Sequence, residues 1–459
     1  MNEKRCPIFG RMVFVRTTSP KERSTLKVKS TTNISKMKSE FTLKNATSFA
    51  GSKLILHFLE QIAFPKILKR LLKGKAPNAT FPLSYVVLYL IIGWILGFRR
   101  IFQFRTLQED SLIQQFMGKP LPHYSLLYKD LLRMGKDPFL FTKFQSLNRV
   151  LVEPLLPSSL ILDFDSTIET VYGNQEGAAV GVNPHKPGRK SYHPLVVFEA
   201  QSQSCLNAVL RPGNVHSSSE ALPFAEQTLK RLPAGKTVKY VRFDKGFGGE
   251  TFYRFWEERK IGYVGKIKWT ARLEQQAYWH RHKWTRYVDD DLILEGLSME
   301  YRGTSWDRMR RVVVIRKAIR CKEPQLFEWY DWEYEAMVTN LNWDPYDVWH
   351  FYNQRCTVEN RIKEMKSGFS IDAIPTQAFG ANHVDLWIKV MAYNLFVRFK
   401  KQVCEPVHMS YTIQRFREEF FRIPGVIIRH SRRVVIKMAQ SFSKQRVWLQ
   451  MERKVVLLE

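Results

Sequence analysis

The chain has 459 residues, of which 72 are Lys or Arg and 43 Asp or Glu, giving a net charge of +29. Such an excess indicates a polyanionic partner. Because the cations are interleaved with aromatics and Pro/Gly turns, nucleic acid fits better than a membrane surface. Five cysteines (Cys6, Cys205, Cys321, Cys356, Cys404), odd in number and without a CxxC pair, argue against a disulfide framework and a zinc site and imply a reducing, cytoplasmic compartment.

Residues 1–45 are rich in Lys, Ser and Thr with little periodicity, which predicts a flexible basic arm. Residues 46–150 carry helical patterns, first at Leu54, Leu56, Phe58 and Leu59, then at Ile67, Leu68 and Leu71. Phe81 to Phe98 is almost wholly apolar and touches the length of a membrane span. Pro82, Ser84, Gly93 and Gly97 lower its hydrophobicity and no second such run exists, so a helix buried on all sides and no membrane partner are expected. The stretch Pro120 to Arg133 reads either as the turn and second helix of a helix-turn-helix or as a capped amphipathic helix.

Between residues 155 and 400 the pattern becomes α/β. Strands are predicted at 160–166, 194–200, 206–211, 237–244 and 261–267, with helices near 218–231 and 249–260. Three successive strands, a helix, then strand-helix-strand is a ribonuclease-H-like order. Residues 269–342 are aromatic and β-branched, predicting a β-rich insertion, and the tail 401–459 is basic with a strand at Val426–Ile428.

Two apolar runs end in acid. Leu160-Ile-Leu-Asp163-Phe-Asp165 places Asp163 and Asp165 on one strand face, and Val238-Lys-Tyr-Val-Arg-Phe-Asp244 brings a second carboxylate to a strand tip. Further on, Tyr352, Arg355, Glu359 and Lys366 fall within an arc of roughly 60° on a single helix. Three carboxylates can converge only if cations neutralise them, and Mg²⁺, or Mn²⁺, suits oxygen ligands that must leave room for water and phosphate. Each acid alone has an ordinary alternative: a strand-end Asp caps a turn, and Glu359 with Lys363 makes an exposed i,i+4 pair. Asp163 reads as a supporting group; Glu364 and Asp372 read as solvated or capping.

Together, Asp165-Ser-Thr, Arg242-Phe-Asp244-Lys-Gly-Phe and the Tyr-x2-Arg-x3-Glu-x6-Lys spacing resemble the DDE transposases of bacterial insertion sequences. Gly181 to Pro194, Arg211-Pro-Gly-Asn214 and Arg429 to Val435 look like insertion sequence family 1380. The resemblance runs from about Ser48 to near the C-terminus. It implies a ribonuclease-H-like catalytic core preceded by an α-helical DNA-binding region, with Asp165, Asp244 and Glu359 as catalytic metal ligands. Tyr352, Arg355 and Lys366 would contact DNA. Arg189, Lys190 and Arg211, on turns beside the site, would hold phosphates if they are more than turn residues. It also implies cut-and-paste movement by a homodimer on paired terminal inverted repeats, joined to target DNA. Lys245 stands where a small residue is usual and Cys356 where Gly is common. Trp269, Trp279, Trp284 and Trp306 are either core or stacking platforms for an unpaired base. The rival readings are a nuclease that cuts without joining and a binding-only derivative of a mobile element.

Overall fold

The structure is a computed structural model that describes residues 34–76, 78–118, 120–289, 292–319 and 331–458. The chain divides into two units, residues 1–43 and 44–459. Of the first, the described part is a 3-10 turn at Ile34–Lys36 and exposed chain beyond it; the expected basic arm lies largely outside the described residues.

In the second unit, strand β1 (Ala46–Thr47) precedes six helices: α1 (Lys53–Gln61), α2 (Phe64–Leu71), α3 (Leu83–Leu96), α4 (Ser111–Met117), α5 (Tyr124–Met134) and α6 (Leu140–Val152). Six strands follow: β2 (Ser159–Ser166), β3 (Glu169–Thr170), β4 (Ala179–Val180), β5 (Lys190–Tyr192), β6 (Leu195–Glu199) and β7 (Cys205–Val209). Then come α7 (Ala221–Lys230), β8 (Thr237–Phe243), α8 (Glu250–Glu258), β9 (Gly262–Ile267) and α9 (Ala271–Trp279). Four strands continue the chain, β10 (Thr285–Asp289), β11 (Leu292–Tyr301), β12 (Arg310–Ile319) and β13 (Glu333–Thr339). It closes with α10 (Pro345–Asn353), α11 (Cys356–Phe369), α12 (Phe379–Val403), α13 (Ile413–Phe416), β14 (Gly425–His430), β15 (Arg433–Met438) and α14 (Gln445–Val456).

Among the described residues nine strands form one mixed sheet in the order β10-β11-β12-β13-β9-β8-β2-β6-β7. β2, β8 and β9 run parallel, whereas β6 and β7 alternate in direction. Parallel strands need both faces covered, and the alternation of β2 meets that need. Leu160, Leu162 and Phe164 join the core beneath α7 and α8, where Phe164 packs edge-on against Phe224 and Phe252. Asp163 and Asp165 therefore point to the other face. Within 269–342 the described strands β10–β13 join the core sheet. β13 pairs with β9, with Ala336 to Thr339 opposite Ile267 to Val264, so β10–β13 prolong the core sheet and cover an edge that would otherwise be open.

The helical N-terminal region shares its core with α12 and the C-terminal tail. Asn394 on α12 accepts from the Cys205 amide (2.9 Å) and donates to the Asn148 amide oxygen (2.7 Å), stapling α6 and β7 to the long helix. The apolar run folds as α3, of which every residue but Tyr85 is buried. A Cβ on Gly93 would lie 2.1 Å from the Phe104 ring, so glycine there permits the packing. Among the described residues no single helix is long and apolar enough to cross a membrane; α3 and the 3-10 turn Ile101–Leu107 reach that length only together, across an 89° bend.

Arg417 locks this assembly. Its buried guanidinium donates to the carbonyls of Trp94 and Ile95 at 2.7 Å and of Gly368 at 2.6 Å, the C-terminal ends of α3 and α11. A cation is favourable at both helix ends. Burial lowers its pKa to about 9, with Arg422 adding to the effect and Glu364 opposing it. Replacing Arg417 by Met leaves the buried carbonyls of Ile95 and Gly368 without donors, Trp94 keeping only the Gly97 amide, and should cost about 3 kcal/mol, measured by denaturant unfolding. A midpoint indistinguishable from the unsubstituted protein would show that the clamp is dispensable.

Candidate active site

The site begins with two strand ends. In the parallel pairing of β2 with β8, Asp163 lies opposite Arg242 and Phe164 opposite Phe243, which brings Asp165 and Asp244 side by side at the C-terminal ends of neighbouring strands. Neighbouring strands are about 4.8 Å apart, so the two carboxylates are close neighbours. Each is held by a neighbouring amide: Ser166, the last residue of β2, donates to Asp165 Oδ1 (2.8 Å), and Gly246, in the turn after β8, donates to Asp244 Oδ1 (2.9 Å). A Cβ on Gly246 would come within 3.1 Å of that same Oδ1, so the turn favours glycine.

One step below, Arg242 grips Asp163 through Nε (2.6 Å) and Nη2 (2.9 Å), both side chains being buried. Its Nη1 donates to the Phe351 carbonyl at 2.7 Å, and the guanidinium lies 4.8 Å from the Phe351 ring centre. This pair supports the site from beneath, which agrees with the supporting role expected of Asp163.

The four-residue signature is not on one continuous helix. α10 ends at Asn353, Gln354 and Arg355 form a turn, and α11 starts at Cys356. The tighter bond from the Arg355 amide to the Tyr352 carbonyl (2.9 Å) replaces an α-helical one. Tyr352 thus belongs to the first helix, while Glu359 and Lys366 belong to the second. Even so, all four side chains line the same cleft of about 1110 Å³, together with Asp165 and Asp244.

Arg355 is buried and committed to protein: its Nη2 lies 3.0 Å from both Asp165 Oδ1 and the Phe164 carbonyl. Burial raises the Asp165 pKa to about 6; Arg355 pulls it down, while Asp244 and Glu359 push it up. The Lys366 ammonium donates to the Ile168 carbonyl at 2.9 Å, and burial lowers its pKa. Tyr352 is buried, with its phenol pKa raised by burial. Glu359 is exposed and forms no ion pair among the described residues, so the alternative reading of it as the partner of Lys363 is not what the structure shows.

The phosphate contacts expected upstream fare differently. Arg211 is 1% exposed and donates to the carbonyls of His193 (3.0 Å), His216 (3.1 Å) and Ser219 (2.5 Å). It pins the loop after β7 and faces no solvent, a correction to its reading as a DNA contact. Arg189 and Lys190 are exposed but do not line the cleft; Pro184 and His185, from the same loop, do. The spacing also missed Arg99, Lys266 and Asp372, all of which line it. Arg99 pairs with Asp372 at 3.7 Å across 273 positions of sequence, a contact no local pattern encodes. Lys245 lines the cleft without an ion pair among the described residues. Glu364, read from the sequence as solvated or capping, accepts from the Ile413 amide at the start of α13 (2.8 Å). Of the tryptophans, Trp306 is buried, Trp269 stacks on Tyr334, Trp284 lies against Arg316, and Trp279 is exposed.

Comparison with known families decides what kind of protein carries this cleft. The profile "Transposase DDE domain group 1" matches residues 29–458. The chain belongs to that family. It is therefore a transposase, a protein of DNA transposition and DNA recombination. No curated protein matches this transposase significantly. Among solved structures it is similar to a piggyBac transposase, determined by cryo-EM as a synaptic complex with hairpin DNA. The identity is 12%, the TM-score 0.40, and the similarity covers 78% of this chain and 74% of that one. At that depth the assignment rests on the family match.

Near Lys366 the transposase buries one more acid. Glu169 is 1% exposed, neither carboxylate oxygen has a hydrogen-bond partner among the described residues, and burial raises its pKa to about 8 against the pull of Lys389 and Lys366. A raised pKa means that the protonated form favours folding. That contribution is complete below the ordinary value of 4.5 and is lost as pH climbs through about 8. The unsubstituted protein should lose on the order of a few kcal/mol between about pH 5 and about pH 9 from this group, and Glu169→Gln should flatten the dependence. Melting curves across that range check it; parallel curves for the two proteins would refute the assignment.

Proposed function

We propose that this transposase cuts DNA at transposon ends and joins the freed ends to target DNA by a metal-dependent, cut-and-paste route, with Asp165, Asp244 and Glu359 as the catalytic carboxylates. The observation that carries the reading is the placement of Asp165 and Asp244 at adjacent C-terminal strand ends, in one cleft with Glu359 and the basic residues that follow it. The strand order β7-β6-β2-β8-β9, antiparallel for three and parallel for the last two, supports a ribonuclease-H-like core. By this reading the enzyme works as a homodimer on paired terminal inverted repeats, as in bacterial insertion sequences of family 1380.

The donors suit Mg²⁺ or Mn²⁺: three hard carboxylates share a cleft in which burial, with the repulsion of Asp244 and Glu359 added to it, raises the Asp165 pKa. As placed, no three acidic, His or Cys side chains among the described residues are grouped closely enough to hold an ion. Glu359, exposed and unpaired on the first turn of α11, is the ligand free to turn inward. When bound, such ions supply the Lewis acidity that activates a water or 3′-hydroxyl and stabilises the leaving oxygen.

The chain's own residues do the rest. Arg355 fixes the Asp165 carboxylate by contact at 3.0 Å and balances its charge. Lys366, Lys266 and Arg99 line the walls and would hold the phosphates on either side of the cut. Tyr352, held between the sheet and the cleft, would orient one phosphate by a hydrogen bond from its hydroxyl, which burial keeps protonated.

The test is cleavage of labelled DNA carrying the element's ends, with Mg²⁺ or with EDTA. Metal-dependent nicking by the unsubstituted protein should fall by roughly 10³-fold in Glu359→Gln. Equal cutting by both proteins would exclude Glu359 from the chemistry. Tight, salt-sensitive binding without cutting under any divalent metal would identify a binding-only protein instead, and cutting without joining a nuclease.

A further inference from the structure

We propose that the β14–β15 hairpin is a second DNA-binding element, separate from the catalytic cleft, that enters the groove of a duplex. This rests on the reading of the protein as a DNA-acting transposase and adds where the duplex is gripped outside the cleft. Sequence alone gave the Arg429 to Val435 stretch no task.

The hairpin is a two-residue connection: His430 pairs with Arg433, leaving Ser431 and Arg432 as the turn. Both have positive φ, 49° and 64°. Such a turn calls for Asn-Gly or a similar pair, so an arginine held in the left-handed region at the tip is a strained choice that points to a task beyond folding. Cross-strand pairing puts His430, Arg433, Val435 and Lys437 on one face of the ribbon, and all four are exposed. Arg429, Arg432, Arg433 and Lys437 form no ion pair among the described residues, whereas many other cations of the chain do.

The dimensions fit. Ile427 is buried and anchors the ribbon. From there the tip extends by roughly 10–13 Å at about 3.3 Å per residue. The major groove of B-form DNA is about 8.5 Å deep and admits a two-stranded ribbon. Beside the base of the hairpin lies a second cleft of about 570 Å³, lined by Asn45, Ser111, Gln114, Gln115 and Arg429, with no carboxylate among the described residues that line it. Arg429 donates to the Gln115 side-chain oxygen at 2.9 Å. Amides and hydroxyls next to unpaired cations are the chemistry that meets base edges and phosphates together.

The experiment measures binding of the full chain to a mixed-sequence duplex across about 50 to 200 mM salt, with dimethyl sulfate protection of guanine N7 as the groove readout. Arg429→Gln/Arg432→Gln/Arg433→Gln should make the logarithmic salt slope shallower by about 2–3, remove the N7 protection and leave the melting temperature unchanged. Arg432→Gly should melt at the same or a higher temperature, because it relieves a left-handed non-glycine residue, yet reduce the slope by about 1. That split is one a merely structural arginine would not produce. An unchanged slope in the triple variant, with tight duplex binding by the unsubstituted protein, would overturn the proposal while leaving the transposase reading intact. A reduced slope with N7 protection retained would overturn the groove placement. Loss of binding to anionic vesicles with duplex binding retained would overturn it in favour of a lipid surface. If the unsubstituted protein bound no duplex at all, both readings would fall.

Discussion

The buried guanidinium of Arg242 holds Asp163 by two hydrogen bonds and the Phe351 carbonyl by a third. It thereby ties the two parallel strands that end in Asp165 and Asp244 to the helix that carries Tyr352. Asp163 and Arg242 are directly paired in the ladder, so the pair fixes the register that brings Asp165 beside Asp244. A buried charge left without its partner costs about 3–5 kcal/mol. A slip of one residue would also turn every side chain of β2 to the wrong face. The arrangement of the cleft thus depends on an ion pair that does not line it.

The same logic extends one level up. Arg355 sits where α10 gives way to α11, and it uses that break to reach both the Phe164 carbonyl and the Asp165 carboxylate. A strictly continuous helix would spread the signature along one stripe. The turn at Gln354 and Arg355 instead lets a buried arginine serve the strand while Glu359 stays exposed. The cleft is then unevenly committed: Asp165 is locked and partly neutralised, Lys366 is half-buried against a carbonyl, and Glu359 keeps its freedom.

The helical N-terminal region contributes more than a separate recognition module would. α3 is buried against α12, and its C-terminal carbonyls are clamped by Arg417 together with that of Gly368 in α11. Just beyond α3, Arg99 enters the cleft and pairs with Asp372. One continuous core therefore couples the apolar helix, the signature helix and the tail, so the cationic walls of the cleft come from segments far apart in sequence.

The sequence by itself determined the elements whose chemistry is local. Apolar runs ending in Asp165 and Asp244 became the neighbouring strands β2 and β8, because alternation and a terminal acid specify a strand and its tip. The buried α3 was legible from composition, and the family resemblance from residue types at fixed spacing. The break between α10 and α11 was not legible, since both residues of the turn remain near helical backbone angles and periodicity continues through it. Only the tertiary structure decided that Arg211 is an internal clamp, that Arg99, Lys266 and Asp372 belong to the cleft, and that β10–β13 extend the sheet. Each of those depends on contacts between distant segments. Burial and pairing at such contacts are set by packing the whole chain, and no window of sequence contains both partners.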